Sequence, residues 1–81
     1  MRVKRNKKLD LHRLRHMEAE RKTIRFLEAN WGSNREVEII TGNSGKMRRL
    51  VMDILDEYGL HYRVGRPFDL NNKGYIITWM E

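Results

Sequence analysis

Val37-Glu38-Ile39-Ile40-Thr41-Gly42-Asn43-Ser44-Gly45-Lys46-Met47-Arg48-Arg49 starts as a β-branched run, breaks on glycines and short polar residues, and resumes with three cations. A short strand passing through a turn into a helix has this pattern. The residues that follow support the helix. Met47, Leu50, Val51, Ile54, Leu55 and Tyr58 recur at the spacing of one helical face. Gly59 suits the left-handed position just past a helix end, with Leu60 as its hydrophobic partner.

Working outward, Leu9-Asp10-Leu11-His12 alternates apolar and polar residues and predicts a half-buried strand. Leu9 and Leu11 would face a core, leaving Asp10 and His12 together on the other face. From His16 to Asn30 the spacing is helical, with Met17, Ile24, Leu27 and Trp31 near one stripe, Ala19 and Phe26 beside it, and Gly32-Ser33-Asn34 as the stop. Residues 61–65 and 74–80 read as two more strands, joined by a loop containing Pro67 and Asn71-Asn72-Lys73-Gly74. The order β-α-β-α-β-β predicts an α/β (α+β) two-layer sandwich. In it a mixed four-stranded sheet carries both helices on one face, its first two strands are parallel and its last two form a hairpin. The opposite face should stay partly open and carry Asp10 and His12. The alternation in Tyr75–Met80 leaves undecided which set of side chains faces the helices.

With 81 residues and 40% hydrophobic side chains, one domain with a small core is expected. The chain has no cysteine, which excludes disulfides and thiolate zinc sites. No apolar run approaches the ~20 residues of a membrane span, and the basic start lacks the apolar stretch of a secretory signal. A cytoplasmic location and no membrane partner are the expectations. The net charge of +6 is unevenly placed. Arg2, Lys4, Arg5, Lys7 and Lys8 fall within residues 1–8, whereas the other 12 cations are nearly balanced by 11 acids. Residues 1–8 therefore read as a flexible basic arm and 9–81 as the domain. Such an arm suits nucleic-acid phosphates; a solubilising tail is the plainer reading.

The second helix carries Lys46, Arg48 and Arg49 in its first turn and Asp53, Asp56 and Glu57 in its last turns. The helix dipole disfavours that order by ~0.3–1 kcal/mol per charge. Cations beside free N–H groups make an anion site instead, with Thr41, Gly42, Asn43, Ser44 and Gly45 as the loop around it. Pairs such as Arg49–Asp53 are the competing explanation. Gly42-Asn43-Ser44-Gly45-Lys46 is not a P-loop, which needs four residues between its glycines and Ser or Thr after the lysine. A dinucleotide fingerprint fails on glycine spacing as well. The loop fits a phosphodiester. Asp10 and His12 add a carboxylate and an imidazole suited to orienting a water, binding a divalent cation or moving a proton near neutral pH. A structural hydrogen bond is the bland alternative.

These residues resemble the small MutS-related (Smr) domain family. Its opening strand has the form Leu-Asp-Leu-His-Gly and leads to a helix starting with Glu-Ala, matched by Leu9-Asp10-Leu11-His12 and Glu18-Ala19. Its second signature is a hydrophobic strand entering a His/Thr-Gly-x-Gly type loop, and residues 37–45 look like its Thr-Gly form. Gly74-Tyr75-Ile76-Ile77 sits where the family has its closing hairpin. The resemblance covers residues 9–81 and implies a two-layer sandwich that binds nucleic acid, with DNA nicking or RNA endonuclease activity in several members. Three departures stand out: Arg13 replaces the family's glycine, Arg15 its helix-capping threonine, and Thr41 the histidine of the second signature. Arg13 and Arg15, with His16, would add phosphate contacts. On this reading Asp10 and His12 are the candidate catalytic residues, Mg²⁺ or Mn²⁺ a candidate cofactor at Asp10, and DNA or RNA the partner. A non-catalytic nucleic-acid-binding module, or an interaction domain gripping an acidic protein through the arm, are the alternatives.

Overall fold

A computed structural model describes residues 7–65 and 74–80 of the chain. The elements run β1 (Lys7–Asp10), α1 (His16–Asn30), β2 (Arg35–Ile40), α2 (Gly45–Glu57), β3 (Tyr62–Val64) and β4 (Tyr75–Met80). This is the expected order. The sheet is mixed, with strand order β1-β2-β4-β3. β1 and β2 are parallel, while β4 is antiparallel to both of its neighbours. Pro67, Asn71, Asn72 and Lys73 of the expected turn lie outside the described residues.

Strand alternation and burial decide the two faces. Val37 and Ile39 of β2 pair with Thr78 and Ile76 of β4, and all four are buried. Ile76 and Met80 share a core with Leu27 of α1 and Met47, Val51 and Leu55 of α2. Ile76, Thr78 and Met80 are thus the set facing the helices. Tyr75 and Ile77 point the other way and are nonetheless buried, so only part of that second face is open. Thr78 is tolerated inside because its Oγ1 donates to the His61 carbonyl at 2.7 Å.

Two expectations need correcting. β1 begins at Lys7 and ends at Asp10, two residues earlier than the alternation predicted. Lys7 and Lys8 therefore belong to the strand, in register with Val37 and Glu38, and the arm expected over 1–8 overlaps it. Arg2, Lys4 and Arg5 lie outside the described residues. Leu11 extends the ladder by one bond, its N–H reaching the Ile40 carbonyl at 2.8 Å, and is fully buried.

The stripe of α1 differs as well. Met17 is 74% exposed and Trp31 51%, while Ala19, Thr23, Leu27 and Asn30 are the buried positions. Thr23 Oγ1 donates to the Ala19 carbonyl at 2.7 Å and Asn30 Nδ2 to the Phe26 carbonyl at 2.8 Å. Each polar side chain satisfies itself on the preceding turn and can then be buried.

α2 ends as its sequence foretold. Gly59 adopts φ +68°; its N–H bonds to the Asp56 carbonyl, and the Leu60 N–H to that of Leu55. These are the two bonds of a Schellman motif.

Candidate nucleic-acid interface

Parallel pairing of β1 and β2 places their carboxyl ends side by side, and each strand turns there into a helix. Both helix N-termini consequently open at one end of the sheet, the customary ligand edge of α/β folds. The two junctions touch. A Cβ built on Gly42 would lie 3.2 Å from the Cβ of His12, and Gly42 adopts φ +71°. Only glycine meets both demands without strain.

At the first junction β1 stops at Asp10 and the chain turns through His12 and Arg13. The turn, not the shared strand face expected from alternation, brings Asp10 and His12 together. Asp10 Oδ1 accepts the His12 backbone N–H at 3.1 Å and also contacts Nδ1 of the ring. The ring contact, and then the backbone bond, hold the Asp10 carboxyl below the usual carboxylate range. A carboxylate can only accept, so Nδ1 carries the proton and Nε2 of the neutral ring keeps its lone pair. Asp10 and His12 side chains are 53% and 47% exposed, so a large substrate can reach them.

Arg13, where the family has glycine, adopts φ +68°. Left-handed backbone costs a non-glycine residue about 1–2 kcal/mol. Arg15 is the N-cap of α1 and provides no side-chain cap, as its replacement of threonine implied.

The second junction is better satisfied. The N–H groups of Thr41 and Gly42 both donate to the Gly74 carbonyl, at 2.8 and 2.9 Å. Thr41 itself is buried, its Oγ1 donating to the Gly42 carbonyl. It therefore shapes the loop from within, and its hydroxyl and N–H are not presented to a ligand. Ser44 caps α2 by accepting the Met47 N–H at 3.1 Å. Asn43, Gly45 and Lys46 are exposed, and among the described residues the N–H groups of Gly45 and Lys46 have no acceptor. Arg48 is half-buried with its Nε out of water and without a partner, a donor left for something else. Arg49 and Asp53 form no ion pair within 4.0 Å, so that pair does not account for the cations.

The basic residues on β1 stand apart. Lys7 and Lys8 lie up to on the order of 10 Å back along the strand from Asp10, and Lys8 Nζ sits 3.9 Å from Glu38 Oε2. No group of three His, Asp or Glu gathers among the described residues. Asp10, the expected ligand for Mg²⁺ or Mn²⁺, has one oxygen already engaged by His12. Sequence reasoning missed the role of the Gly74 carbonyl, which no local pattern announces, and that of Ser44 as a cap. A serine directly before a helix start is itself the signal for the latter.

The fold and this edge define a small two-layer α/β domain with an anion-receptive end. A family model for the Smr domain matches residues 9–71. The chain belongs to the Smr domain family, a nucleic-acid-binding and nuclease-like family. Comparison with curated proteins and with solved structures returned no match. Among the described residues no helix is long and apolar enough to cross a membrane.

Proposed function

We propose that this Smr domain is an endonuclease that cleaves single-stranded RNA, with His12 moving the proton and α2 holding the phosphate. The observation that carries the reading is the Asp10–His12 pair set against Gly42 at the mouth of α2. One oriented imidazole is a sparse catalytic set. It suffices when the nucleophile belongs to the substrate, as the 2′-hydroxyl of RNA does.

Nε2 of His12 removes the 2′-hydroxyl proton. The 2′-oxygen attacks the adjacent phosphorus, and the bond from phosphorus to the 5′-oxygen breaks. That oxygen leaves with a proton returned from His12, so the products are a 2′,3′-cyclic phosphate and a 5′-hydroxyl. Lys46, Arg48 and the N–H groups of Gly45 and Lys46 offset charge developing on the phosphoryl oxygens. Arg13, Arg15 and Arg49 extend the cationic rim on which the strand lies, and Asn43 and Ser44 flank it. Asp10 is a positioning residue, fixing the ring tautomer.

The test is cleavage of single-stranded RNA by wild type, His12→Ala and Asp10→Asn, with and without EDTA. Wild type should yield cyclic-phosphate ends in EDTA. His12→Ala should bind RNA normally and cleave at least ~10²-fold more slowly, and Asp10→Asn should fall between. Retention of salt-dependent binding with no cleavage by any form would leave a non-catalytic binding module. Cleavage abolished by EDTA, or active on DNA lacking the 2′-hydroxyl, would reassign Asp10 to a metal.

A further inference from the structure

Between α1 and the outer flank of α2 runs a groove of about 570 Å³, within the range of small-ligand sites. Its mouth lies at the anion-receptive edge, where Lys46 and Arg49 line it. Its floor is Leu50, half-buried, and Ile54, buried. Further along α2, the exposed side chains of Glu20 from α1 and of Asp53 and Glu57 from α2 form its walls. The charge therefore reverses along the open groove, from cations at the α2 N-terminus to carboxylates two turns on. Among the described residues none of these three carboxylates has an ion pair or hydrogen bond.

That reversal decides how a nucleic-acid strand meets the groove. A phosphate chain cannot continue past Lys46 and Arg49, because the next charges repel it. A base can. Lys46 and Asp53 are separated by two helical turns, on the order of 10 Å, comparable to the reach of one nucleotide from its phosphate to its base edge. Leu50 and Ile54 offer an apolar seat to the flat base. Unengaged carboxylates accept hydrogen bonds and cannot donate them. Cytosine, adenine and guanine all present an amino group on the pairing edge. Uracil presents a single donor there, N3–H, set between two carbonyl oxygens that repel an approaching carboxylate, whereas an exocyclic amino group projects a proton clear of its neighbouring acceptor.

We propose that this groove is a base-reading subsite: one nucleotide enters it with its phosphate at Lys46 and Arg49, and Glu20 and Asp53 select an amino-bearing base over uracil. The proposal rests on the nucleic-acid reading above and adds sequence preference to it.

The test uses short single-stranded RNAs made only of uridine, and the same RNAs with one central cytidine, adenosine or guanosine. Affinity is read by fluorescence anisotropy, and groove occupancy by NMR of the Leu50 and Ile54 methyl groups. Wild type should favour each substituted RNA over oligouridine by about tenfold or more, the discrimination of a good carboxylate–amino contact, with methyl shifts to match. Glu20→Gln combined with Asp53→Asn should bind oligouridine at least as well as wild type and lose the preference, since amides donate as well as accept. Salt-dependent binding of all four RNAs with equal affinity would overturn the subsite and leave the nucleic-acid reading intact. So would a preference that survives in the double variant. Binding of none of the RNAs would overturn both.

Discussion

Between β2 and α2 the chain meets its stereochemical needs with suited residues, whereas between β1 and α1 it does not. The second junction puts glycine at its left-handed position, serine at the helix cap and two N–H groups on one carbonyl. The first puts Arg13 at a left-handed position and an uncapped Arg15 at the helix start. Strain of this kind persists only where surrounding structure holds it, and it gathers at functional sites. The contrast matches a division of labour. On the proposed function, one junction would cradle the phosphate, while the other gives up local stability and places cations and the Asp10–His12 pair beside it.

Substitutions that exchange the two characters test this contrast. Gly42→Val should have the largest effect. Left-handed backbone alone costs about 1–2 kcal/mol, and the added side chain also meets His12. Thermal unfolding should fall by upwards of roughly 4–8 °C, and an unchanged Tm would mean that the junctions do not abut. Capping should follow. Ser44→Ala should cost ~1 kcal/mol, while Arg15→Thr should return a similar amount to α1; denaturant midpoints read both, and equal signs would erase the asymmetry.

Arg13→Gly should stabilise the fold by ~0.5–1 kcal/mol, the left-handed penalty less glycine's entropy, while weakening RNA binding. A destabilised Arg13→Gly variant would show that arginine is held there by contacts that outweigh its strain. The smallest effect is electrostatic. Asp10 should titrate below the ordinary aspartate value by carboxyl NMR and move part of the way back in His12→Ala, which removes the ring contact and keeps the backbone N–H. Because the folded state lowers this pKa, the contact stabilises at pH above the ordinary value and is lost as pH falls through the lowered one. Identical titrations in the two proteins would mean that the pair is not formed.

Much of this architecture was legible because local signals agreed. His16–Asn30 was bounded by a strand motif before it and glycine after it. The end of α2 was written in Gly59-Leu60. What escaped has physical causes. Lys7 and Lys8 read as arm because lysine signals solvent, yet a sheet edge accommodates lysine readily, and β1 is such an edge. Thr23 and Asn30 escaped because a hydropathy pattern does not register a polar group that bonds to its own helix. The Asp10–His12 association was visible in the spacing; the turn that produces it was not, because nothing local marks Asp10 as the last strand residue. The groove of Glu20 and Asp53 needed two helices brought side by side, which no single segment encodes.

β1 has a consequence for timing. It is four residues long and bonded to a single neighbour, β2, some thirty residues further along the chain. Short edge elements open at lower free energy than the global transition, and a ladder between distant segments closes late in folding. His12 follows that strand by two residues. Opening of β1 would separate the imidazole from the phosphate cradle while α2 and its neighbours stay folded. Competence for cleavage would then follow the amide-exchange protection of β1, and nascent or partly opened chains would stay silent toward RNA.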